Sequence, residues 1–522
     1  MPKHYESGRD LQERILEGVN ILADNVASTL GPRGRNVLLY KVGAPNPIVT
    51  KDGVTVAKFV DLEDPVQNVG AQLVKQAASQ TNTNAGDGTT TATVLTREIL
   101  SQAQKHLIAG SSPVELKRGM DKAVDRIVNY IKDVSVPVSS EEDVRHIATI
   151  SANGDSSVGE LVTMAVDQAG KDGAITIEEA RSSETSLNVV EGFRFDSGYF
   201  ARAFITDERR EVVKYDSPLM LVTDYKIEAV EEIYPILELI ARDSRPLVVV
   251  SEEVEGQALA ALIMNAQRGT LKVAAVKAPR YGEERREILK DLCVATGATF
   301  ISRDAGLSLK DVKLTHLGSC KTIEVEKSFT TIVGGKGDPE AVEERIDSIK
   351  EQISETKDLY RCEKLQERIS RLASGIAIIH VGAPTEVEMI EKKHRIEDAL
   401  EAVKSAQAEG MIPGGGRTLL SASELDVETD NDEQAIGAKI VLSSLAAPIR
   451  QMALNAGESA DIVLSKVLEA EDNIGYNFAT GELTDMFESG VIDPAKVTRV
   501  ALQNAVSVSS TLITTNFSIV EL

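Results

Sequence analysis

The stretch NAGDGTTTATVL, residues 84 to 95, combines residue types that suit phosphate chemistry. Its glycines allow successive backbone N–H groups to converge on an anion, and the apolar run behind them predicts a helix whose positive N-terminus faces the same point. Asp87 lies between two glycines, where a bare carboxylate would repel phosphate. A divalent cation removes this conflict, because Mg²⁺ typically bridges carboxylates to substrate phosphate oxygens. The alternative is a glycine turn in which Asp87 and Thr90 only cap the helix.

Three other glycine-containing turns could contribute to the same site. They are TLGPRG (29–34), TKDGVTVA (50–57), which carries Asp52, and PGGGRTLL (413–420). Each is short enough to be an ordinary turn, so each keeps a purely structural alternative. The pattern G-x-x-x-x-G-K-[ST] occurs nowhere in the sequence, which excludes a Walker A phosphate loop.

The composition favours a multidomain globular protein. With 522 residues, the chain is longer than one hydrophobic core usually organises. The net charge of −24 would repel phosphate backbones and anionic lipids, which argues against nucleic acid and membranes as partners. The three cysteines are far apart, and the N-terminal residues are too polar for a signal peptide, so the sequence predicts a cytoplasmic protein.

Two helical regions at the chain ends flank a middle region of a different kind. Residues 11–30 place apolar side chains at steps of three and four, which predicts an amphipathic helix, and residues 36–50 predict two short strands around a Gly/Pro-rich tip. Residues 64–134 and the last hundred residues are mostly helical in pattern. Residues 190–375 alternate strand-like runs, including ATFIS at 298–302, with helical runs, which predicts an α/β domain around a largely parallel sheet.

The chain resembles the group I chaperonin family in the order and spacing of its motifs, over residues 5 to 517. The motifs are TLGPRGRNV, TKDGVTVA, NAGDGTTTATVL, TISANGD, VKAP, EKLQERISRLASGIAIIHVG, EVEMIEKKHRIEDAL and EGMIPGGG. The resemblance implies a multidomain α and α/β protein with the chaperonin fold. Its implied parts are a helical equatorial domain (1–134 and 408–522), a small hinge domain (135–190 and 376–407) and an inserted apical α/β domain (191–375).

The resemblance also implies an activity and partners. Members of the family are ATPases that couple ATP hydrolysis to protein folding, and they enclose non-native proteins in a ring cavity. The expected assembly is a seven-membered homo-oligomeric ring, usually stacked in pairs and closed by a small co-chaperonin lid of the 10-kDa type.

Carried over motif by motif, the resemblance assigns a nucleotide site. The positions around ATP are Thr29, Leu30, Gly31, Pro32, Lys51, Asp87, Gly88, Thr89, Thr90, Thr91, Gly415, Asn477, Phe478, Ala479 and Asp493. Asp87 would hold Mg²⁺, and Thr29, Lys51 and Thr90 would bind K⁺. Asp398 and Asp52 would be catalytic, because they would orient the attacking water, Asp398 once the hinge has closed.

A generic binder of unfolded proteins needs an exposed apolar surface, since its clients share no sequence. Leu259, Ile263 and Met264 fall on one face of a predicted helix, and Tyr234 and Leu237 are near neighbours on another. On spacing alone, such stripes usually belong to a buried core. The resemblance assigns to the groove for clients and for the co-chaperonin the residues Tyr199, Phe204, Tyr234, Leu237, Leu259, Ile263 and Met264.

Several positions depart from the family pattern. Ser197 replaces a basic residue, Thr83 replaces an acid, and Ala203 replaces an aromatic residue. Arg280 and Tyr281 replace an apolar Phe-Gly version of the same turn. The first two changes remove charge pairs associated with the closed state, which predicts an altered resting conformation or altered coupling between rings.

Two departures concern segments rather than single positions. The sequence lacks the flexible Gly-Gly-Met tail common in bacterial members, and the hairpin tip has an extra residue near PNP (45–47). The second change predicts a different ring geometry, because the tip makes subunit contacts in the family. Asp52, Asp87 and Asp398 are unaffected, which predicts that ATPase activity is retained.

Another class of function stays open beside the chaperone. It is a divergent oligomeric paralogue with a binding or holdase role and weak ATPase activity. A small-molecule phosphotransferase is disfavoured, because no acceptor-base constellation occurs outside the nucleotide motifs.

Overall fold

The computed structural model describes residues 3–41, 47–169, 174–180, 182–356, 359–373 and 375–521. The chain divides into two units. The first unit contains Met1–Met164, Arg181–Glu184 and Val381–Leu522, and the second contains Ala165–Ala180 and Thr185–His380. The first unit is therefore assembled from both ends of the chain. The three-domain division with its split hinge domain stays a prediction, and the tip residues 42–46 lie outside the described residues.

The N-terminal part of the chain is mainly helical. Its elements are β1 (Lys3–Ser7), α1 (Gly8–Ala27), β2 (Val37–Leu39), β3 (Ile48–Thr50), α2 (Gly53–Phe59), α3 (Pro65–Ala85), α4 (Thr89–Ile108), α5 (Pro113–Val134), α6 (Glu141–Ser151) and α7 (Ser156–Ala169). The amphipathic helix predicted near the N-terminus is confirmed as α1, whose apolar face, including Leu11, Val19 and Leu22, is fully buried. The hairpin is confirmed as β2 and β3, which pair antiparallel.

The middle of the chain alternates strands and helices. Its elements are β4 (Ala174–Glu179), β5 (Ser186–Phe195), β6 (Val213–Asp216), β7 (Leu219–Val222), β8 (Lys226–Ile227), α8 (Val230–Asp243), β9 (Leu247–Ser251), β10 (Glu253–Val254), α9 (Gly256–Gln267), β11 (Val273–Lys277), α10 (Gly282–Thr296), β12 (Gly318–Val325), β13 (Thr330–Gly335), α11 (Pro339–Glu355), α12 (Leu359–Ala373) and β14 (Gly375–Val381). Short 3₁₀ turns lie at Arg202–Phe204, Leu309–Asp311 and Leu314–His316.

The main sheet of the second unit is only partly parallel. Its strand order is β11-β9-β7-β12-β13-β5-β14-β4, with β6 also paired to β12. The strands β11, β9 and β7 are parallel, as predicted, and are joined through helices. The prediction of a largely parallel sheet is wrong, because β12 and β13 follow each other through a short turn, which permits only antiparallel pairing. ATFIS is not a strand of this sheet but makes one isolated bridge, between Thr223 and Ile301.

The C-terminal part returns to the first unit. Its elements are α13 (Glu386–Glu409), β15 (Met411–Pro413), α14 (Arg417–Ala422), α15 (Asp432–Ser444), α16 (Ala447–Ala456), α17 (Ala460–Leu468), β16 (Ile474–Asn477), β17 (Glu482–Asp485), β18 (Ile492–Pro494), α18 (Ala495–Thr514) and β19 (Phe517–Glu521). The core of this unit mixes residues from both chain ends, from Leu11 on α1 to Ile513 on α18. β1 and β19 pair antiparallel, as do β15 and β18.

Candidate functional site

The turn between α3 and α4 is shaped by two glycines. Gly86 is the C-cap of α3 with φ of 75°, and Gly88 is the N-cap of α4 with φ of 84°. Both have a left-handed backbone conformation that residues other than glycine rarely adopt. The N-cap position of α4 belongs to Gly88, so neither Asp87 nor Thr90 occupies it. The alternative in which this is a purely structural glycine turn stays open. The first N–H groups of α4, which have no acceptor within the helix, lie at this turn.

Asp87 is held between these glycines by two hydrogen bonds. Its Oδ1 accepts from the Gly88 N–H at 2.5 Å, and its Oδ2 accepts from the Ser151 hydroxyl at 2.9 Å. Burial raises the pKa of the Asp87 carboxyl, and the nearby Asp52 acts in the same direction, while the two hydrogen bonds oppose the shift. A buried carboxylate next to another carboxylate favours a bound cation, since the cation removes the cost of holding two negative charges together.

Asp52 lies near Asp87 but belongs to a different turn, the one between β3 and α2. It is the N-cap of α2, and it accepts hydrogen bonds from the N–H groups of Val54 and Thr55 at 3.0 and 3.1 Å. The Thr55 hydroxyl donates a third bond, at 2.6 Å. These bonds hold the carboxylate in one orientation.

Lys51 precedes this cap and closes the neighbouring turn. Its Nζ donates to the Gly31 carbonyl at 3.2 Å. Burial lowers the pKa of Lys51, and the positive charge of Arg395 lowers it further. The hydroxyl oxygens of Thr29 and Thr90 are 3.3 Å apart, which brings the turn after α1 against the start of α4.

The turn after α1 is fixed by two contacts with distant parts of the chain. Asn455 Nδ2 donates to the carbonyls of Ala27 and Leu30, both at 2.9 Å. Arg33 donates to the carbonyls of Phe478 and Ala479, at 3.4 and 3.1 Å. This second contact joins the TLGPRG turn to the loop after β16.

The loop after β16 and the strand β18 form another side of the site. Asn477 Oδ1 accepts from the Ala479 N–H at 3.0 Å, and the rings of Tyr476 and Phe478 pack edge to face with centroids 5.0 Å apart. Asp493 lies on β18, opposite Ile412 of β15. Burial, with a smaller contribution from Asp87, raises the pKa of Asp493 to about 7.

All of these elements surround one cavity of the first unit, with a volume of about 300 Å³. Every residue predicted to bind ATP or to be catalytic lines it. These residues are Thr29, Leu30, Gly31, Pro32, Lys51, Asp52, Asp87, Gly88, Thr89, Thr90, Thr91, Asp398, Gly415, Asn477, Phe478, Ala479 and Asp493. The structure thus brings together residues from seven separate stretches of the sequence.

Sequence reasoning assigned no role to another part of the lining. Ser151, Asn153 and Gly154 line the cavity between α6 and α7, and Ser151 donates to Asp87. Asn153 has φ of 59°, which is unusual for a residue other than glycine. The signal was the motif TISANGD, whose Asn-Gly pair is typical of a tight turn that can approach a ligand.

The residues predicted to bind clients lie in the second unit and differ in exposure. Tyr234 on α8 and Met264 on α9 are 60% and 50% exposed, while Tyr199, Leu259 and Ile263 are half-buried.

Phe204 and Leu237 contradict the prediction, because they are only 2% and 7% exposed. Leu237 shares the buried face of α8 with Ile233 and Ile240, and Phe204 packs into the core from a 3₁₀ turn. Neither side chain can offer a surface to a client.

The departures from the family pattern have local structural consequences. Tyr281 is 80% exposed, and Arg280, with φ of 59°, points a guanidinium nitrogen at Asp196 from 3.4 Å. The Ser197 carbonyl accepts from the Thr330 hydroxyl at 2.7 Å, and the Thr83 hydroxyl donates to the carbonyl of Ser79 within α3. The turn at Arg280 therefore presents an aromatic ring to solvent.

Two other kinds of site are absent from the described part of the chain. No group of three or more His, Cys, Asp or Glu side chains is placed to hold a metal ion there. None of the helices in these ranges is long and apolar enough to cross a membrane.

Comparison with known proteins identifies the family. Residues 22–521 match the model of the TCP-1/cpn60 chaperonin family. The chain belongs to this family. The resemblance seen in the motifs is thereby confirmed, and the narrower assignment to group I rests on the motifs themselves.

A solved chaperonin has the same fold. It is the chaperonin gp146 from the bacteriophage EL 2 (Pseudomonas aeruginosa), whose crystal structure was determined in the presence of ATP-BeFx. The match has a TM-score of 0.64 and 21% sequence identity, and it covers 99% of each chain. The predicted chaperonin fold, with α and α/β parts, is confirmed.

Proposed function

We propose that this chaperonin binds and hydrolyses ATP in the cavity of its first unit and uses the cycle to fold non-native proteins. The observation that carries the proposal is that every residue assigned to ATP by the motifs lines one cavity. The turn around Asp87 presents the N-terminus of α4 to it, where N–H groups and the helix dipole favour phosphate. The gp146 crystals were grown in the presence of ATP-BeFx, which supports nucleotide binding by a chain of this fold.

The residues around this turn could bind Mg²⁺ and K⁺, the two cations that we propose act together with ATP. Asp87 would hold Mg²⁺ with the phosphates as further ligands, and its buried carboxylate gains from a positive charge. Thr29 and Thr90, whose hydroxyl oxygens approach each other, would hold K⁺ together with backbone oxygen of Lys51. When bound, Mg²⁺ would neutralise charge on the phosphates during transfer.

The catalytic step assigned to this chain is the orientation of water. Asp52 is held in one orientation by three hydrogen bonds, so it can accept a hydrogen bond from a water molecule in a constant direction. Asp398 lies on α13, far from Asp52 in sequence, and lines the same cavity. Hydrolysis then depends on the position of α13, which links chemistry to conformation.

The proposed assembly is a seven-membered ring, stacked in pairs, with a small co-chaperonin as lid. Apolar side chains exposed on the small sheets β1–β19 and β2–β3 of the first unit fit contacts between copies of the chain. Clients would bind the second unit through Tyr234, Met264 and the half-buried Leu259 and Ile263.

Calorimetry, turnover and electron microscopy test the proposal. The purified oligomer is titrated with MgATP, assayed for phosphate release with Mg²⁺ and K⁺, and imaged with and without ATP. We expect saturable binding, K⁺-dependent turnover and rings. Failure of the intact oligomer to take up MgATP contradicts the proposal.

A second candidate is an oligomeric binding protein with weak ATPase activity. The burial of Phe204 and Leu237 favours it, because the exposed apolar surface is smaller than the sequence predicted. Refolding of an aggregation-prone client separates the two functions. ATP turnover with client rescue supports the folding machine, whereas turnover without rescue supports the binding protein.

A further inference from the structure

One face of α13 lies directly against the turn between α3 and α4, residues 86–88. Asp398, Glu401 and Ser405 follow each other at steps of three and four and therefore share a face of this helix. The Ser405 hydroxyl is buried and donates to the carbonyl of Ala85 at 2.9 Å. Ala85 is the last residue of α3, so the helix provides no N–H group that could donate to its carbonyl. This carbonyl therefore depends on a donor from outside the helix.

Gly86 makes the approach even closer. A Cβ atom built on Gly86 would lie 2.1 Å from the Cβ of Glu401 and 2.7 Å from its Cγ. Only a residue without a side chain allows the turn to touch α13 in this way. The next residue is Asp87, so the contact lies one position from the proposed Mg²⁺ ligand.

A second anchor holds the other side of Asp398. Arg395 bonds Glu391 within α13 and reaches Asp155 at 3.1 Å. Asp155 follows the turn of Asn153 and Gly154, which lines the cavity. Asp398 is thus placed between two contacts that both end at cavity-lining turns.

We propose that the Ser405–Ala85 bond and the Gly86–Glu401 contact position Asp398 relative to Asp87. The inference rests on the proposed ATPase and names two positioning residues for it, Ser405 and Gly86. Ser405 is seven residues from Asp398, about 10 Å along a rigid helix, so a small shift at Ser405 moves the carboxylate. The hydrogen bond from Ser405 to Ala85 fixes the position of α13 along the turn. Loss of this bond removes the donor to the buried Ala85 carbonyl.

The variants Ser405→Ala and Ser405→Cys test the proposal, with Ser444→Ala as matched control. Ser444 is also a fully buried helix serine, but its hydroxyl donates within its own helix, to Ile440. We expect Ser405→Ala to lower kcat by about fivefold to a hundredfold while KM for MgATP stays within about twofold. Ser405→Cys, whose thiol is somewhat larger and donates weakly, should fall between Ala and wild type, and Ser444→Ala should match wild type.

Hydrogen exchange supplies a readout that needs no turnover. In Ser405→Ala, the amides of residues 86–88 should exchange faster than in wild type and in Ser444→Ala. Wild-type kcat in Ser405→Ala, or exchange at residues 86–88 equal to that of the control, overturns the positioning role. If the wild type hydrolyses no ATP, the proposed function has failed, and the exchange comparison still decides whether Ser405 holds the turn.

Discussion

The cavity of the first unit and the apolar surface of the second unit are built from different kinds of contact. In the cavity, carboxylates are fixed by backbone N–H groups and hydroxyls, as Asp52 is by Val54 and Thr55. On the surface, Tyr234 and Met264 extend from helices into solvent. Cavity residues therefore depend on one another, whereas each surface residue acts according to its own burial. Substitutions in the cavity should therefore act through its network of contacts, on hydrolysis, nucleotide affinity or pH-dependent stability, whereas those in the second unit should change either stability or client binding according to burial.

The largest effect is expected from Asp398→Ala. Loss of the group that we propose to orient the attacking water should lower the rate of ATP hydrolysis by about 10²- to 10⁴-fold, while MgATP still binds. Phosphate release and calorimetry measure the two properties separately. Glu388→Ala, which removes an exposed acid from the same helix, is the control and should leave turnover unchanged. Unchanged turnover in Asp398→Ala would refute the assigned role.

In the second unit, Phe204→Ala and Tyr234→Ala should separate stability from binding. Phe204 is buried, so its truncation should lower the free energy of unfolding by about 3–5 kcal/mol. Tyr234 is exposed, so its truncation should change that free energy by less than about 0.5 kcal/mol and weaken client binding instead. Urea unfolding and fluorescence anisotropy with a denatured client give the two values. Equal stability of the two variants would contradict the burial argument.

Asp493 gives the first unit a pH dependence of unusual sign. Its pKa is about 7 in the folded chain and about 3.9 for an unperturbed Asp, so between these values the folded state binds more protons. The free energy of unfolding of the nucleotide-free protein should therefore fall as the pH rises from about 4 to about 7. Asp493→Asn cannot titrate and should be stabilised relative to wild type at pH 8, by up to a few kcal/mol. Urea unfolding at pH 5 and pH 8 tests this, and an equal pH dependence in both proteins contradicts it.

Gly86→Ala should damage catalysis beyond the cost of its backbone conformation. The new Cβ would meet Glu401, so we expect kcat to fall by about tenfold to a hundredfold. Gly110→Ala is the matched control, because Gly110 also has a positive φ, of 95°, but nothing within 4 Å of an added Cβ. Steady-state ATPase assays compare the variants. If both lose the same activity, backbone strain alone explains Gly86.

The smallest effect is expected from Arg33→Ala. Its two hydrogen bonds hold the loop of Phe478 and Ala479 against the turn after α1, and each contributes about 0.5–1.5 kcal/mol. The Kd for MgATP should rise by about twofold to tenfold, with kcat nearly constant. Arg35→Ala removes an exposed arginine two positions away and should leave the Kd unchanged. Calorimetry makes the comparison, and equal affinities for the two variants would contradict it.

Local features of the sequence predicted much of the first unit. The period of α1, the glycine turn before α4 and the short strands β2 and β3 depend on neighbouring residues, and they appear as expected. The motifs also named the residues of one cavity, although they could not give the partners. The bond from Ser151 to Asp87 joins residues 64 positions apart, and no spacing rule indicates such a bond.

Non-local packing explains what the sequence did not predict. The runs that became β12 and β13 carry apolar residues like those of β9, but their short connection made them antiparallel. Likewise, Leu237 and Tyr234 are near neighbours on α8, yet only the position of the sheet decides that the first is buried. Burial depends on what covers a face, and a single helix does not contain that information.

The shared core of the two chain ends has a consequence during synthesis. Helices α1, α3 and α4 are made before the second unit, but α18, which packs against α3 and α4, is made after it. The inserted second unit is complete while the first still lacks one wall. During that interval the nascent chain exposes apolar helix faces that α18 will later cover, and such faces are prone to aggregation. A protein proposed to protect others from aggregation therefore passes through an aggregation-prone stage of its own.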